Sequence, residues 1–372
     1  MNTNMKLTRY LLALAMIATL GTLASGCSDD EGNLFGGDDA GSDLSDGTND
    51  TDGGDPVQTS LNCPEPGELP FETQATEFDD PDSVTAFEES DNSSHHSLDL
   101  LANPGDQQVV EGKLQVVKGV IFPNTQGIFQ IGGEFVSIWT YRDGDWVELG
   151  RTRTEEDGTY SVELDSDVQF GEGTHEFYTI IEGNQTCFRQ IAAIWPEDTK
   201  FVISDIDGTL TTSDNEFIFQ LGDVTYDPEE EQGASEMMNA WFDKGYQTIY
   251  LTARPNDGRL LTRQWLIDHD FPKGPLETAD SFVFGSSAAA YKGAFSTLIT
   301  DDLGWEFTAG YGNSESDIDG YREAGVALEL MFTIGEAAGY LGTTVITNDN
   351  YTPHISSYVD IQPDVEDPVE NR

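Results

Sequence analysis

From Lys113 to about Pro196 apolar and polar positions alternate in short runs such as "LQVVKGVIF", "EFVSIWTY", "WVELGRT", "GTYSVEL" and "HEFYTIIEG". Successive side chains on a strand point to opposite faces, so this period predicts strands with one buried and one wet face. Turn signals such as "RDGD" and "EEDG" separate the runs. Short strands at this spacing predict an antiparallel β-sandwich domain over 111–197. After "IWPEDTK" the alternation stops. "FVIS", "QTIYLTA", "SFVF" and "FTAGYG" are short runs without polar alternation, as strands buried on both faces require. Between them "GASEMMNAWFDKG", "GRLLTRQWLIDH", "AYKGAFSTLIT" and "SDIDGYREAG" read as helices. Alternating strands and helices predict an α/β domain over 198–350, a parallel sheet covered on both faces. Ligands of such sheets bind beyond the carboxyl ends of the strands.

The ends of the chain follow neither pattern. Lys6 and Arg9 precede an apolar stretch from Tyr10 to Leu23 that leads into "LASGC", which predicts an export signal over 1–27. Residues 28–60 are Asp, Gly, Ser and Thr with hardly a large apolar residue, a composition that predicts a disordered acidic linker. Residues 61–110 read as an irregular extension and 351–372 as an acidic C-terminal tail. With 69 acidic against 17 basic residues the formal net charge is −52, which argues against nucleic acid as a partner. In an exported chain Cys63 and Cys187 are a possible disulfide between the extension and the β-domain, with unpaired buried thiols as the alternative. Two cysteines so far apart do not read as a zinc site.

The chemistry lies where the apolar runs of the α/β segment end. "FVIS" runs straight into "DIDGT", and on extended backbone Asp205 and Asp207 project to the same side. Two carboxylates so close resist joint ionisation unless a cation sits between them, and Mg2+ takes oxygen ligands readily. Gly208 permits a tight turn, and N–H groups there with the Thr209 hydroxyl are suited to an anion. "YLTARP" offers the Thr252 hydroxyl and the Arg254 fork to a phosphate. Lys292 lies on a helix with an apolar opposite face, and "GYGNSESD" supplies Asn313 and Asp317 as oxygen donors. Asp214 and Asp319 read as a cap and a solvated residue.

In this order the segments "SDIDGTLTTSD", "KGYQTIYLTARP", "FPKGP", "YKGAF" and "AGYGNSESDIDGYREAGV" resemble the haloacid dehalogenase (HAD) phosphatase superfamily, and within it the lipin-type LNS2 domain of phosphatidate phosphatases. The resemblance implies a HAD-like Rossmannoid sheet with a minimal cap, preceded here by the sandwich, an arrangement similar to that of another group of phosphatidate phosphatases. It implies Asp205 as nucleophile, Asp207 as acid and then base, and Lys292 as the balancing charge. Thr252, with Gly208, Thr209 and Arg254, would bind the phosphoryl group, and Asp205, the Asp207 carbonyl, Asn313 and Asp317 would hold Mg2+. The chain departs from lipins in carrying Thr212 where they often have Lys, and in showing no basic cluster. "LASGC" resembles the lipobox of bacterial lipoproteins, which implies acylation of Cys27 and attachment to a membrane on its periplasmic or cell-surface side.

The expected function is thus Mg2+-dependent hydrolysis of phosphatidate to diacylglycerol through an aspartyl-phosphate. One alternative keeps the chemistry and changes the substrate to another phosphomonoester. The other is a non-catalytic, phosphatidate-binding LNS2 module, against which Asp205 speaks, because binding-only relatives tend to lose the nucleophile.

Overall fold

A computed structural model describes residues 63, 69–88, 92–117, 128–222 and 225–370. The export signal, Cys27 and the acidic linker lie outside the described residues. The fold is mixed α/β, with one parallel sheet and two largely antiparallel ones.

The first antiparallel sheet centres on β3 (Val109–Val117), which pairs with β1 (Asn92–Ser97), β4 (Ile128–Gln130) and β7 (Thr159–Glu163). The second runs in the order β2 (Leu100–Ala102), β9 (Thr186–Ile194), β8 (Gly173–Ile181), β5 (Phe135–Arg142) and β6 (Asp145–Arg153). Val110, Tyr160 and Val162 of the first sheet share one core with Val136, Ile138, Phe177 and Ile194 of the second. On β7 Tyr160 and Val162 alternate with exposed residues, as the period of two predicts, whereas β5, β8 and β9 are buried on both faces over most of their length, so the second sheet has no fully wet face.

The parallel sheet has the order β12-β11-β10-β13-β14-β15, from β10 (Lys200–Ser204), β11 (Gln247–Pro255), β12 (Leu276–Ala279), β13 (Glu306–Gly312), β14 (Met331–Thr333) and β15 (Thr344–Val345). Its inner strands bury both faces, while the edge strand β15 is exposed. Val202 and Tyr250 pack on one side with Met238 and Trp241 of α3 (Ala234–Asp243), while Phe201, Ile203 and Ile249 pack on the other with Phe295 and Tyr321. The chain leaves β10 toward β11 on one side and returns to β13 on the other, so the strand order reverses at β10.

Three stretches differ from the expectations. "SFVF" is no strand, for β12 is the preceding "LETA", and Phe284 stands 70% exposed in the loop that follows. An apolar run of that length carries no signal of whether it lies inside or outside. The extension is not irregular, since α1 (Pro81–Glu88), β1 and β2 fall within it. It is held down by non-local bonds: Asp79 N–H and Asp80 N–H donate to the buried Glu134 carboxylate, and Ala75 N–H donates to Glu182. A disulfide joins Cys63 to Cys187. The C-terminal segment docks as well. Val369 is buried, its carbonyl accepts from Gln247, and Thr174 N–H donates to the Glu370 carbonyl. No helix among the described residues is long and apolar enough to cross a membrane.

Candidate active site at the strand ends

Asp205 follows the last residue of β10, at the point where the strand order reverses and neighbouring crossovers diverge to leave a crevice. Thr252 and Arg254 end β11, and Asn313 follows β13. Lys292 comes from α5 (Ser286–Thr297), and Asp317 from the first turn of α6 (Glu315–Glu323), which packs against α5. The fold therefore gathers Asp205, Asp207, Lys292, Thr252, Arg254, Asn313 and Asp317 in one place.

At the floor, Lys292 Nζ donates to Asp205 Oδ1 at 2.7 Å and to Asp317 Oδ1, with all three residues buried. Asp317 Oδ2 accepts from Asn313 N–H at 3.0 Å, Ser314 N–H at 2.9 Å and the Ser314 hydroxyl at 2.9 Å. Both of its oxygens are thus engaged by the protein; Asp317 fixes Lys292 and the loop after β13 and is not among the residues lining the open cavity. Burial pushes the Asp205 carboxyl up to about 8, with the Asp317 and Asp207 carboxylates adding to the rise and Lys292 opposing it. Burial works against the charge of Lys292, but the two carboxylates outweigh it and hold the ammonium above its ordinary range.

Arg254 is placed otherwise than a free phosphate fork. Its Nε and Nη2 clamp Asp207 at 2.8–3.0 Å, Nη1 donates to Thr262 at 2.9 Å, and the guanidinium lies 4.6 Å over the Phe217 ring. The Thr252 hydroxyl donates to Asp207 at 3.3 Å. The turn after Asp207 is also more committed than expected: Gly208 N–H donates to Thr211, Thr209 N–H to the Ile206 carbonyl, and the Thr209 hydroxyl to Asp205 at 3.3 Å. Gly208 has φ +65°, and a Cβ there would lie 2.1 Å from Asn313 Nδ2 and 2.6 Å from Asp214 Oδ1. That close approach explains the glycine.

Asp214 is the site residue that its neighbours in sequence do not reveal. It lines the cavity and accepts from Asn313 Nδ2 at 2.7 Å, which orients the amide. Burial raises its carboxyl above the usual range. Asp319 pairs with Arg322 at the surface. The cavity above the floor measures about 560 Å3, and its outer part is apolar, with Phe217, Ile218, Leu221, Phe282 and Phe284 around it.

Among the described residues no three His, Cys, Asp or Glu side chains already form a metal-binding group. The donors are nonetheless of the kind a hard cation takes: the Asp205 carboxylate, the Asp207 carbonyl and the Asn313 amide. Among the described residues, the cations beside Asp205, Asp207, Asp214 and Asp317 are Lys292 and Arg254, an excess of negative charge that a divalent cation would relieve.

Residues 202–335 match the LNS2 domain described for PITM 1-3. That match supports an LNS2 domain, of the HAD-like class, in this chain. Protein retinal degeneration B of Drosophila melanogaster is 26% identical over 255 residues, covering 68% of this chain and 20% of that protein. Membrane-associated phosphatidylinositol transfer protein 1 of Rattus norvegicus is 25% identical over 254 residues, covering 67% of this chain and 20% of that protein. The chain spans about a fifth of the length of these relatives. Residues 202–372 are less than half of the chain, so the similarity extends beyond the LNS2 segment into the β-domain. Among solved structures, a phosphoserine phosphatase in its apo form is 12% identical with a TM-score of 0.32, covering 43% of this chain and 99% of that one, a likeness too slight to build on.

Proposed function

We propose that the protein is a Mg2+-dependent phosphatidate phosphatase acting through an aspartyl-phosphate on Asp205. The observation that carries this reading is the Asp205–Lys292–Asp317 arrangement, buried at the floor of an open cavity beside Asp207. In this reading an Asp205 oxygen attacks phosphorus and the bond to the glycerol oxygen breaks, with Asp207 supplying the proton to that oxygen. Asp207 then takes a proton from water, the water oxygen attacks phosphorus, and phosphate leaves with Asp205 restored. The Arg254 clamp holds Asp207 in place until a phosphoryl group competes for the guanidinium. Mg2+, held by Asp205, the Asp207 carbonyl and Asn313, would supply positive charge for the phosphoryl oxygens. The relatives' names include phosphatidylinositol transfer, which supports a phospholipid as partner. Attachment through an acylated Cys27, on the outer side of a membrane, belongs to the same proposal.

The binding-only reading has one observation in its favour, that the carboxylate of Asp207, the expected acid, is spent on the Arg254 fork. Phosphate release by the full chain from phosphatidate in mixed micelles and from an aryl phosphate, with and without Mg2+, separates the readings. Release from phosphatidate that needs Mg2+ and is lost in Asp205→Asn is the expected result. Release from the aryl phosphate alone points to another phosphomonoester, and release from neither to the binding module.

A further inference from the structure

We infer that the apolar mouth of the strand-end cavity is a bilayer-docking face, through which α2 (Glu216–Gly222) and the loop at 282–284 enter a lipid surface and bring the phosphate of an embedded phosphomonoester to Asp205. The inference rests on the phosphatase reading above and adds to it the surface by which the substrate is reached.

Two separate parts of the chain meet at this mouth. On α2, Phe217 faces inward, buried against Arg254, while Ile218, which also lines the cavity, is 47% exposed. Across the cavity the exposed Phe284 stacks on Phe282 with ring centroids 6.1 Å apart. Single exposed apolar residues are ordinary on a protein surface. Large ones converging from two elements on one opening mark an interaction site.

The kind of partner follows from what lies at the two ends of the cavity. Its floor carries the charged groups Asp205, Asp207, Asp214, Lys292 and Arg254, whose acidic excess the divalent cation of the phosphatase reading would offset, and its mouth carries the phenylalanines. That gradient complements an amphiphile entering with its phosphate first and its tails trailing outward. A folded protein seated on the same face would stopper the opening, whereas a bilayer delivers its own lipid through it. Attraction by charge is not available, because the chain carries −52 and shows no basic cluster. Docking here is therefore apolar, and salt, which weakens polybasic contacts with lipid, leaves it intact.

The test uses the full chain with Cys27→Ser, so that the expected acyl anchor is not what is measured. A solvatochromic dye is placed on Phe284→Cys and, as a control, on Tyr141→Cys, an exposed position of the β-domain. With phosphatidylcholine vesicles containing phosphatidate, emission from position 284 shifts to the blue and is quenched by bilayer-embedded quencher lipids, including at high NaCl, while position 141 does not respond. In the unlabelled chain, Ile218→Asp with Phe284→Asp lowers turnover of vesicle phosphatidate at least about tenfold more than turnover of a soluble aryl phosphate. No shift at 284, equal shifts at both positions, loss of the shift at high salt, or equal losses on both substrates overturns the inference. Docking by a chain that hydrolyses neither substrate overturns the phosphatase reading and leaves the docking face standing. Turnover of vesicle phosphatidate with an unshifted label does the reverse.

Discussion

Lys292 and Asp205, at the floor of the cavity, are 2% and 4% exposed and bonded to each other, whereas Phe284 at its mouth leaves 70% of its surface to solvent. Charged groups lie inside and aromatic rings outside, the inverse of what burial alone selects. Each half costs stability, and both occur at the same strand ends. Such paired departures from the folding rules are where function is read most directly. The floor tolerates its charges because each has a partner: Asp317 spends both oxygens on Lys292 and the loop after β13.

The sharpest way to break this comparison is at the nucleophile. Asp205→Asn should reduce turnover by at least about a thousandfold, as expected when a group forming the covalent intermediate is lost. It removes a buried like charge, so the melting temperature should not fall; a variant that unfolds instead would assign Asp205 to structure. Lys292→Met leaves Asp205 and Asp317 buried without a counter-charge and should cost about 3–5 kcal/mol in denaturant unfolding. An unchanged midpoint would mean that the floor holds its carboxylates by other means.

A second buried charge cluster offers a contrast, since it touches no cavity floor. Asp99, between β1 and β2, accepts from Ile191 N–H at 2.9 Å and Leu276 N–H at 2.6 Å, and pairs with Arg263 and with Arg259 at 3.4 Å on α4 (Arg259–Asp268). The hub joins the β-domain to the helix whose Thr262 holds Arg254. Asp99→Ala should cost about 3 kcal/mol, with an activity loss that follows the loss of fold. An activity loss without destabilisation would instead make the β-domain part of the site's positioning.

The smallest effect concerns pH. His354 is buried against Tyr311, whose hydroxyl lies 2.8 Å from Nε2, and burial lowers its imidazole to about 4. The unfolded chain takes up that proton near the ordinary histidine value of about 6.5, before the folded chain does, so stability falls as pH drops from about 6.5 to about 4. The whole loss is of order 3 kcal/mol. His354→Gln should flatten that part of the stability profile relative to the unsubstituted chain; parallel profiles would show that His354 titrates as a solvated group.

Most of the floor was legible in the sequence. Residues that follow parallel strands meet at one edge of the sheet, so "DIDGT", "YLTARP" and "GYGNSESD" belong together on the sequence pattern alone. Asp214 was not legible, because its role depends on Asn313, a residue 99 positions away. Nor was the true state of Arg254, since a fork suited to phosphate suits a carboxylate equally and only the fold shows Asp207 within its reach. The docked extension escaped for the same reason: its backbone N–H groups find Glu134 and Glu182 at separations of 55 and 107 residues.

By itself the sequence determined the period of each element, the parallel sheet in the second half and the chemical types standing after its strands, because these depend on neighbours in the chain. The tertiary structure decided which segment after α4 became the edge strand β12 and which the exposed rim. By composition "SFVF" is the better strand former of the two, so it was not composition that chose "LETA". Leu276 and Ala279 fit beside β11, and Thr278 is satisfied by Asn256 and Arg259, partners that only folding brings to it.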